Sequence, residues 1–282
     1  MYASPDSPVH LSVSIVVHNS TLSLLAATLD SLAAAVSAAY GDGVLARAAL
    51  YVVDNASDAA YRSRLELLLA RWVNSDSLTL EYLPQAVNLG FGGGHNAVLP
   101  RVASDIHLVL NPDAELATTA LTRGLAALRA DQRIALLSPR FTGESGQQEY
   151  LCKAYPSVLV LLLRGFAPAF LRRWFRRSLE AYELRAVCSA DKAVEVEIAS
   201  GCVMLLRTQA LRTVRGFNED FFLYFEDFDL SLRLAQHGRL VFEPTVEVLH
   251  HGGYAARKGW RHVRLFVGSG VRFFRLHGWR WI

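Results

Sequence analysis

Residues 12–43 decide the fold class, and they read SVSIVVHNSTLSLLAATLDSLAAAVSAAYGDG. Ser12 to Val17 is a short β-branched run, which is typical of a buried strand. The Ala/Leu-rich residues from Leu22 to Tyr40 have helical spacing, and Gly41-Asp42-Gly43 ends the helix. The segment therefore predicts a strand followed by a helix, with polar residues at the carboxyl end of the strand.

The alternation of strand and helix continues along most of the chain. Strand-like runs end in polar residues, and several are followed by a stretch with helical spacing. This pattern predicts an α/β fold with a Rossmann-like, mostly parallel sheet and helices on both faces. The further predicted elements are strands at Leu50 to Val53, Leu78 to Leu83, Ile106 to Leu110 and Leu240 to Val248, helices at Ala59 to Val73 and Phe225 to Gln236, a short helix after Asn88 to Gly94, and regular structure over Val194 to Leu206.

Two segments depart from this alternation. Residues 143–190 combine Gly, Pro, a short apolar run and an arginine cluster, and we interpret them as an insertion or an acceptor-side loop region. Residues 256–282 are basic and aromatic, and they predict a helical extension. Residues 1–255 are expected to form one domain, with halves at about 11–140 and 141–255.

Composition excludes several classes of protein. The chain has 282 residues, of which 52% are hydrophobic and 20% charged, so it is a folded globular protein. A formal net charge of +3 is too small to predict a nucleic-acid partner. Cys152, Cys188 and Cys202 form no CxxC pair, which argues against a disulfide framework and a zinc site and suits a reducing cytoplasm.

The chain is expected to be cytoplasmic and not to span a membrane. The N-terminal residues MYASPDSPVH lack the features of a signal peptide. The longest uninterrupted apolar run, Val158 to Leu163, is far shorter than the ~20 residues of a spanning helix. The arginines around Trp174 and the basic aromatic C-terminal segment are open to two interpretations, contact with an anionic membrane surface or a solvated helix.

Polar residues follow each of the first strands at its carboxyl end. In an open parallel sheet ligands bind at this edge, so these residues are the first candidates for a binding site. Asn, Asp and Gly are also ordinary turn residues, and any one of the sets is explained as a turn. Together they predict one polar rim, formed by His18-Asn19, Asp54-Asn55, Asn88 to Gly94, and Asn111-Pro112-Asp113.

Two parts of this rim suggest specific ligands. The glycines from Gly90 to Gly94 let backbone approach a diphosphate or a sugar. They are not the dinucleotide fingerprint, because His95 stands where its last glycine would be, and this disfavours an NAD-dependent oxidoreductase. Asp113 is suited to Mg²⁺ or Mn²⁺, with an Asx turn as the alternative.

The segment from Gly216 to Leu230 places carboxylates among aromatic residues and reads GFNEDFFLYFEDFDL. An aromatic-walled acidic pocket explains this mixture, and apolar walls raise a carboxylate's affinity for protons, as a general base requires. A helix from Phe225 would put Glu226 and Asp229 on one face and Asp227 on another. Adjacent histidines at a strand end point to opposite sides, so at most one of His250-His251 is expected to be a ligand.

The motifs SIVVHN, VVDNAS, NLGFGGGHN, LNPD, ASGCVMLLR, GFNEDFFLYFEDFDLSLR and VLHHGG occur in this order along the chain. The ordered set resembles glycosyltransferase family 2, most closely its bacterial rhamnosyltransferase-like branch, over roughly residues 11–255. The resemblance implies a GT-A fold, a divalent metal cofactor (Mn or Mg), and inversion at the anomeric carbon of the transferred sugar.

The resemblance also implies roles for individual residues. Asp227 is the expected general base, in a catalytic pair with Glu226. Asp113 and His250 are the expected metal ligands, with His251 as a less favoured substitute for His250. Asn111 stands where the family often has the first aspartate of Asp-x-Asp, and His18 where it often has Tyr or Thr. The donor-binding residues are expected to be His18, Asn19, Asp54, Asn88, Gly90, Phe91, Gly92, Asn96, Asn111 and Asp113.

The function expected from the resemblance is transfer of a sugar, first of all rhamnose from dTDP-rhamnose, to a hydroxyl of a glycan or lipid-linked acceptor. This step belongs to bacterial cell-surface polysaccharide synthesis, including lipopolysaccharide biosynthesis, with the protein in the cytoplasm or peripheral on the inner membrane. Alternatives are a UDP-sugar donor and a non-catalytic nucleotide-sugar-binding protein. A nucleotidyltransferase is disfavoured, because His18-Asn19-Ser20 stands where those enzymes usually have a glycine-rich loop with Arg and Lys.

Overall fold

The computed structural model describes residues 7–72, 76–252 and 260–282. The strands are β1 (Val9–Val17), β2 (Leu45–Asp54), β3 (Leu78–Pro84), β4 (Ile106–Leu110), β5 (Ala114–Leu116), β6 (Ile134–Gly143), β7 (Gln148–Glu149), β8 (Val194–Glu195), β9 (Val203–Arg207) and β10 (Arg239–His250). The helices are α1 (Leu22–Gly41), α2 (Ala59–Leu69), α3 (Gly90–Asn96), α4 (Ala120–Ala130), α5 (Val158–Phe166), α6 (Ala169–Trp174), α7 (Arg176–Tyr182), α8 (Arg185–Cys188), α9 (Thr208–Thr213), α10 (Glu226–Leu234) and α11 (Trp260–His277), with a 3-10 turn at Leu99–Arg101.

One sheet organises the chain, in the order β3-β2-β1-β4-β9-β6-β10-β5. The first part is parallel, with β1 between β2 and β4 and β3 at the edge. Strand β9 then runs antiparallel to both β4 and β6, whereas β6 and β10 are parallel. The α/β fold is therefore confirmed, and the second part of the sheet is mixed. Strand order reverses around β1, where open α/β sheets form a ligand crevice.

The first strand and helix form as the sequence predicts. Every residue of β1 from Leu11 to Ile15 is buried, as in a parallel strand covered on both faces. Helix α1 buries Leu25, Leu29 and Leu32 in the main core. Among the described helices, only α1 is long and apolar enough to cross a membrane by length and composition. Its place in the core is that of a helix in a globular domain.

Three segments differ from the sequence predictions. Helix α2 ends at Leu69, and the predicted end at Val73 lies outside the described residues. The glycine-rich segment was expected to be a loop before a helix, but its glycines themselves form α3. Strand β10 continues through Pro244 with a register shift between Glu243 and Glu247, because proline cannot donate to the ladder.

Residues 143–190 contain β7 and the short helices α5 to α8, and α5 packs beside the C-terminal segment. The backbone N–H groups of Val158 and Leu159 donate to the carbonyls of Arg280 and Trp281 at 2.8 and 3.1 Å. Phe273 and Phe274 of α11 pack with Phe221 and Phe225, which precede α10, and the four residues form one aromatic cluster. The domain boundary expected at residue 255 lies outside the described residues and stays a prediction.

Candidate active site

The carboxyl ends of β1 and β2 meet at the expected rim. The backbone N–H of Asn55 donates to the carbonyl of Val17 at 2.8 Å. The Nδ1 of His18 lies 3.0 Å from the carbonyl oxygen of Asn55. Both His18 and Asn19 are exposed, so these two predicted donor-binding residues are open to a ligand at this rim.

Asp54 is the charged residue of this rim, and its carboxylate is fully buried. Its Oδ1 accepts from the backbone N–H of Ser57, and its Oδ2 accepts from Arg62 and from the hydroxyl of Tyr82. Burial raises the pKa of Asp54, but these hydrogen bonds outweigh it and the net pKa is lowered. Asp54 therefore holds the turn after β2, and its contact with a nucleoside stays a prediction.

Asn55 organises the entrance to α3. Its Nδ2 donates to Oδ1 of Asn88 at 3.1 Å and to the carbonyl of Gly90 at 2.8 Å. Its Oδ1 accepts from the backbone N–H of Leu89 at 2.8 Å. The side chain is buried, so these bonds fix the loop between β3 and α3 relative to β2. No role for Asn55 beyond the polar rim was predicted.

The glycines of α3 permit close contact with the segment from Gly216 to Leu230, which we call the acidic aromatic segment. Gly90 has φ +76°, and a Cβ there would lie 2.2 Å from the carbonyl oxygen of Phe222. The neighbouring N–H of Phe91 donates to that same carbonyl at 3.0 Å. A Cβ on Gly92 would meet Phe217 at 2.7 Å. The backbone of α3 is therefore packed closely against Phe217 and Phe222. A close approach of these glycines to a ligand stays a prediction.

Gly90→Ala is expected to destabilise the protein by about 1–3 kcal/mol, because it combines a left-handed φ with a backbone clash. The measurement is the free energy of unfolding in urea. Gly165→Ala in α5 is the matched control, since a Cβ there meets nothing within 4 Å and alanine favours a helix. Equal stability of the two variants would contradict the assignment of Gly90 to the packing of α3.

Asn96, at the end of α3, makes the second link to the acidic aromatic segment. Its Nδ2 donates to the carbonyl of Phe217 at 2.8 Å and to Oε1 of Glu219 at 2.9 Å. Its Oδ1 accepts from the N–H of Phe217 at 2.9 Å. Both ends of the amide are thus bound to protein, and a contact of Asn96 with a donor stays a prediction.

Asp227 lies where α3, the segment before β9 and α10 meet. Its Oδ2 accepts from the backbone N–H of Gly201 at 2.9 Å, and its Oδ1 accepts from that of Phe228 at 2.9 Å. A Cβ on Gly201 would lie 2.9 Å from the ring of Phe91 and 3.3 Å from Cβ of Asp227. The structure therefore brings Phe91 of the predicted donor pocket and the predicted base close to the same glycine.

The neighbouring Glu226 and Asp227 have different environments. Glu226 is buried, and its Oε2 has no hydrogen-bond partner among the described residues. Burial, followed by the charge of Asp227, raises the pKa of Glu226 well above its ordinary value. Burial also raises the pKa of Asp227, but the N–H groups of Gly201 and Phe228 and the charge of Lys153 oppose this. Of the two carboxyl groups, Glu226 therefore has the higher affinity for a proton, and Asp227 is the one that ionises first.

Asp229 has a separate role on α10. Its Oδ2 accepts from Arg233 at 2.7 Å, and its Oδ1 lies 2.8 Å from Nε2 of His277. The carboxylate is almost fully buried, and its contact with His277 joins α10 to α11. The carboxylates of this helix thus have different partners, and the expectation that they do not all serve one function stays a prediction.

Asp113, which follows β4, faces His250, the last residue of β10. Nε2 of His250 lies 4.0 Å from Oδ1 of Asp113, a buried atom for which the described residues provide no hydrogen-bond partner. The other ring nitrogen, Nδ1, lies 2.7 Å from Glu149. A carboxylate that fixes one nitrogen of a histidine leaves the other free to bind a metal. Within residues 7–72, 76–252 and 260–282 no group of three or more His, Cys, Asp or Glu side chains forms a complete metal site.

His251 points away from this pair. Its Nε2 lies 2.5 Å from Glu115 and its Nδ1 lies 2.8 Å from Glu144. Hydrogen bonds to Glu144 and Glu115 raise the pKa of His251, which favours the imidazolium. An imidazolium held between two carboxylates has no lone pair for a metal, so the geometry favours His250 of the two histidines.

The buried thiol of Cys202 is influenced by several of these charged groups. Burial raises its pKa far above the ordinary value, and the charges of Asp113, Glu149 and Asp227 raise it further. The carbonyl of Cys202 also accepts from the N–H of Asn111 at 2.8 Å. The candidate metal ligand Asp113, the carboxylate of Glu149 and the predicted base Asp227 therefore all act on one buried residue just before β9.

An open cleft of about 570 Å³ gives access to this region. Glu149, Asp227 and Glu226 line it, together with three basic residues that were not predicted as site residues, Lys153, Arg164 and Arg185. Residues 143–190, expected to be an insertion or an acceptor-side region, thus contribute one wall of the cleft. The sequence did not single out these side chains as site residues, because single Lys, Arg and Glu residues are common on protein surfaces.

Two curated relatives are similar to the chain. One is the N-acetylglucosaminyl-diphospho-decaprenol L-rhamnosyltransferase of Mycobacterium tuberculosis, 29% identical over 187 residues, covering 61% of this chain and 59% of the relative. The other is rhamnosyltransferase WbbL of Escherichia coli K12, 24% identical over 216 residues, covering 72% of this chain and 77% of the relative. The chain thus spans less than two thirds of the length of the first of them.

The fold is similar to that of a solved glycosyltransferase. The crystal structure of GalNAc-T7 with UDP, GalNAc and Mn²⁺ superposes with a TM-score of 0.63 at 13% sequence identity, covering 95% of this chain and 48% of that chain. This confirms the expected GT-A fold. The sequence model of the glycosyl transferase family 2 matches residues 12–212, which is more than half of the chain. The motifs, the fold and this match agree, and the chain belongs to glycosyl transferase family 2.

Proposed function

We propose that this protein is an inverting, metal-dependent glycosyltransferase that moves a sugar from a nucleotide diphosphate donor to a hydroxyl of an acceptor. The observation that carries the proposal is the position of Asp227. Its carboxylate is held by the backbone N–H groups of Gly201 and Phe228, and it lines the same cleft as Glu149, the residue that orients His250. The candidate base and the carboxylate that contacts a candidate metal ligand thus line one space.

Asp227 is the general base of this mechanism. It takes the proton of the acceptor hydroxyl as the oxygen attacks the anomeric carbon of the donor from the side opposite the leaving diphosphate. General base catalysis of this kind contributes roughly 100- to 10,000-fold to the rate. Glu226 keeps its own proton beside Asp227, so its proposed role is to tune the affinity of Asp227 for a proton.

Asp113 and His250 are the residues that would hold a divalent ion. The buried, unpartnered Oδ1 of Asp113 and the Nε2 of His250 fit such a group, and Glu149 fixes the histidine ring. Two protein ligands suit Mg²⁺ or Mn²⁺, which share their coordination with water and substrate phosphates. When bound, such an ion neutralises charge on the departing diphosphate, a Lewis-acid contribution of several kcal/mol.

The proposed donor is dTDP-rhamnose, because both curated relatives are named as rhamnosyltransferases. A UDP-sugar is the alternative, since the structural neighbour GalNAc-T7 binds UDP. The donor is expected on the rim of His18, Asn19 and Asp54, beside Phe91 and the glycines of α3. A non-catalytic nucleotide-sugar-binding protein is the remaining candidate, and the intact Asp113 and Asp227 disfavour it.

The test of the proposed function is release of nucleoside diphosphate from a panel of sugar nucleotides, with Mn²⁺, Mg²⁺ or EDTA. Metal-dependent release from one donor would support the proposal and name the sugar. Donor binding without release, in the presence of a range of acceptors, would support the non-catalytic alternative. Failure to bind any sugar nucleotide would overturn the proposal.

The proposed acceptor is a hydroxyl of a glycan or a lipid-linked glycan, used in the cytoplasm at the inner membrane for cell-surface polysaccharide synthesis. Exposed apolar side chains support membrane contact, because they are concentrated on α5, α6 and α11. Phe170 and Trp174 of α6 are 70% and 85% exposed, and Trp260 of α11 is 77% exposed. Exposed aromatic residues flanked by arginines are typical of proteins that lie on anionic membranes.

Phe170→Glu and Trp174→Glu are each expected to weaken binding to anionic liposomes by about 10-fold or more, because each removes an apolar side chain and adds a repelled charge. Liposome flotation measures the bound fraction. Leu67→Glu on α2 is the matched control, since Leu67 is 71% exposed and lies outside these helices. Equal flotation of all three variants would contradict a membrane-binding role for α6.

A further inference from the structure

Three basic side chains form one wall of the cleft that contains Asp227. Lys153, Arg164 and Arg185 all line it, and we call them the basic wall. They are joined to one another by shared partners. Arg164 and Lys153 both lie over the ring of Tyr182, at 5.6 and 5.9 Å from its centroid. The wall is therefore one cluster and not a set of separate surface charges.

Among the described residues, the two arginines of the basic wall have one ion-pair partner between them, and the carboxyl groups of Glu149, Glu226 and Asp227 line the same cleft. Arg164 and Arg185 share a single carboxylate, that of Glu183, at 3.7 and 2.7 Å. Nζ of Lys153 donates to the carbonyl of Tyr150, which is uncharged. Burial, followed by the charge of Arg164, lowers the pKa of Lys153 to about 8. An anion at the basic wall would be bound by charge-assisted hydrogen bonds from the two arginines. Its negative charge would also favour the charged form of Lys153.

An apolar groove lies beside this cleft. The groove has a volume of about 120 Å³ and lies between α5 and α11. Leu161 and Leu162 form one side of it, and Val267 and Phe274 form the other. Phe266 lines both the groove and the cleft, so the two are neighbouring spaces. An occupant of both spaces needs a negatively charged group next to an aliphatic chain.

We infer that the basic wall binds a phosphate or diphosphate group of the acceptor, and that the groove holds the first part of the alkyl chain attached to it. The inference rests on the proposed function, and it assigns the residues that hold the phosphate and the alkyl chain of a lipid-linked acceptor. The charge of Lys153 acts on Asp227, so an anion bound at the wall lies close to the base that receives the acceptor proton. A donor nucleotide is a poor occupant, because it has no group for an apolar groove.

Direct binding is the first test, with decyl diphosphate as the probe and decyl maltoside as its uncharged counterpart. EDTA is present, so that no metal ion at Asp113 and His250 captures the diphosphate. We expect the diphosphate to bind more tightly than the maltoside, and the variant Arg164→Ala/Arg185→Ala to bind it roughly 10- to 100-fold more weakly. The loss should grow smaller as salt is raised, since both arginines are about half exposed.

Arg173→Ala is the matched control, because Arg173 is an exposed arginine of α6 that does not line the cleft. Its binding of decyl diphosphate should equal that of the wild type. Unfolding curves of all variants establish that they are folded. Equal binding by the wild type and the double variant would overturn the inference, and so would equal affinity of the wild type for the two probes.

Two further measurements separate this inference from the proposed function. Acceptor-free hydrolysis of the donor tests the donor side of the site, and its loss in Arg164→Ala/Arg185→Ala would assign the wall to the donor and overturn the inference. If the wild type hydrolysed no donor at all but still bound decyl diphosphate at the wall, the proposed function would fail and the anion site would stand. Leu162→Asp should abolish the gain in affinity from butyl to decyl diphosphate, whereas Leu67→Asp should retain it.

Discussion

Asp227→Asn is expected to lower the rate of sugar transfer by roughly 100- to 10,000-fold, while donor affinity stays within a few-fold of the wild type. Asparagine preserves the size of the side chain and an oxygen that can accept a hydrogen bond from Gly201 or Phe228. It cannot take a proton from the acceptor. The measurements are single-turnover transfer and equilibrium binding of the donor.

Glu226→Gln is the matched control for this experiment. Since Glu226 keeps its proton, an amide resembles its native state, and we expect transfer to fall far less than in Asp227→Asn. The raised pKa of Asp227 also predicts that the acid limb of the wild-type pH–rate profile lies above the pH at which an ordinary aspartate titrates. Activity falls as pH decreases through this raised pKa, because the base must be ionised. Full transfer by Asp227→Asn would refute the assignment of the base.

Asp113→Ala is expected to abolish metal-stimulated turnover of the donor, with a loss of roughly 1,000-fold or more. The alanine removes the carboxylate that faces Nε2 of His250 at 4.0 Å. Calorimetric titration of the protein with Mn²⁺, in the absence of substrate, measures the affinity of the site directly. We expect Glu149→Gln to weaken Mn²⁺ binding by about 10- to 100-fold, because Glu149 orients the histidine.

His251→Gln controls for the loss of a neighbouring histidine. His251 is held by Glu115 and Glu144 and not by the metal pair, so its replacement should leave Mn²⁺ affinity unchanged. If His251→Gln and not His250→Gln abolished metal binding, the assignment of the two histidines would have to be exchanged. Unchanged Mn²⁺ binding in Asp113→Ala would place the metal elsewhere.

The first half of the fold could be predicted because its local patterns agree with its tertiary structure. β1 and α1 have clear strand and helix periods, and the observed bounds differ from the predicted ones by only a few residues. No element was predicted for residues 120–143, where the structure has α4 and β6. Pro139 and Gly143 lie within β6, and both residues ordinarily signal the end of a strand.

The glycine-rich segment shows where pattern and structure diverge. Glycine is a poor helix former, so a loop was the natural expectation for residues 88–94. In α3, contacts with Phe217 and Phe222 leave no space for side chains on Gly90 and Gly92, so the tertiary packing requires glycine in this helix. Such contacts join residues more than a hundred positions apart, and a local sequence pattern contains no information about them.

The candidate site was predictable only in part, for a related reason. Motifs reveal residues such as Asp113 and Asp227, which stand at strand ends or in unusual composition. They do not reveal Glu149, which acts through His250, or Asn55, which acts through the loop before α3. The basic wall likewise becomes visible only when α5 and α8 bring Arg164 and Arg185 to one carboxylate.

The contact between Asp229 and His277 has a consequence for the order of folding during synthesis. The two residues are 48 positions apart, and His277 is the last residue of α11. While α10 has emerged from the ribosome and α11 has not, Asp229 lacks one of its two partners and the aromatic rings around Phe225 lack their cover. We therefore expect the sheet to assemble first, and the helix that bears the base to settle only when translation has passed His277.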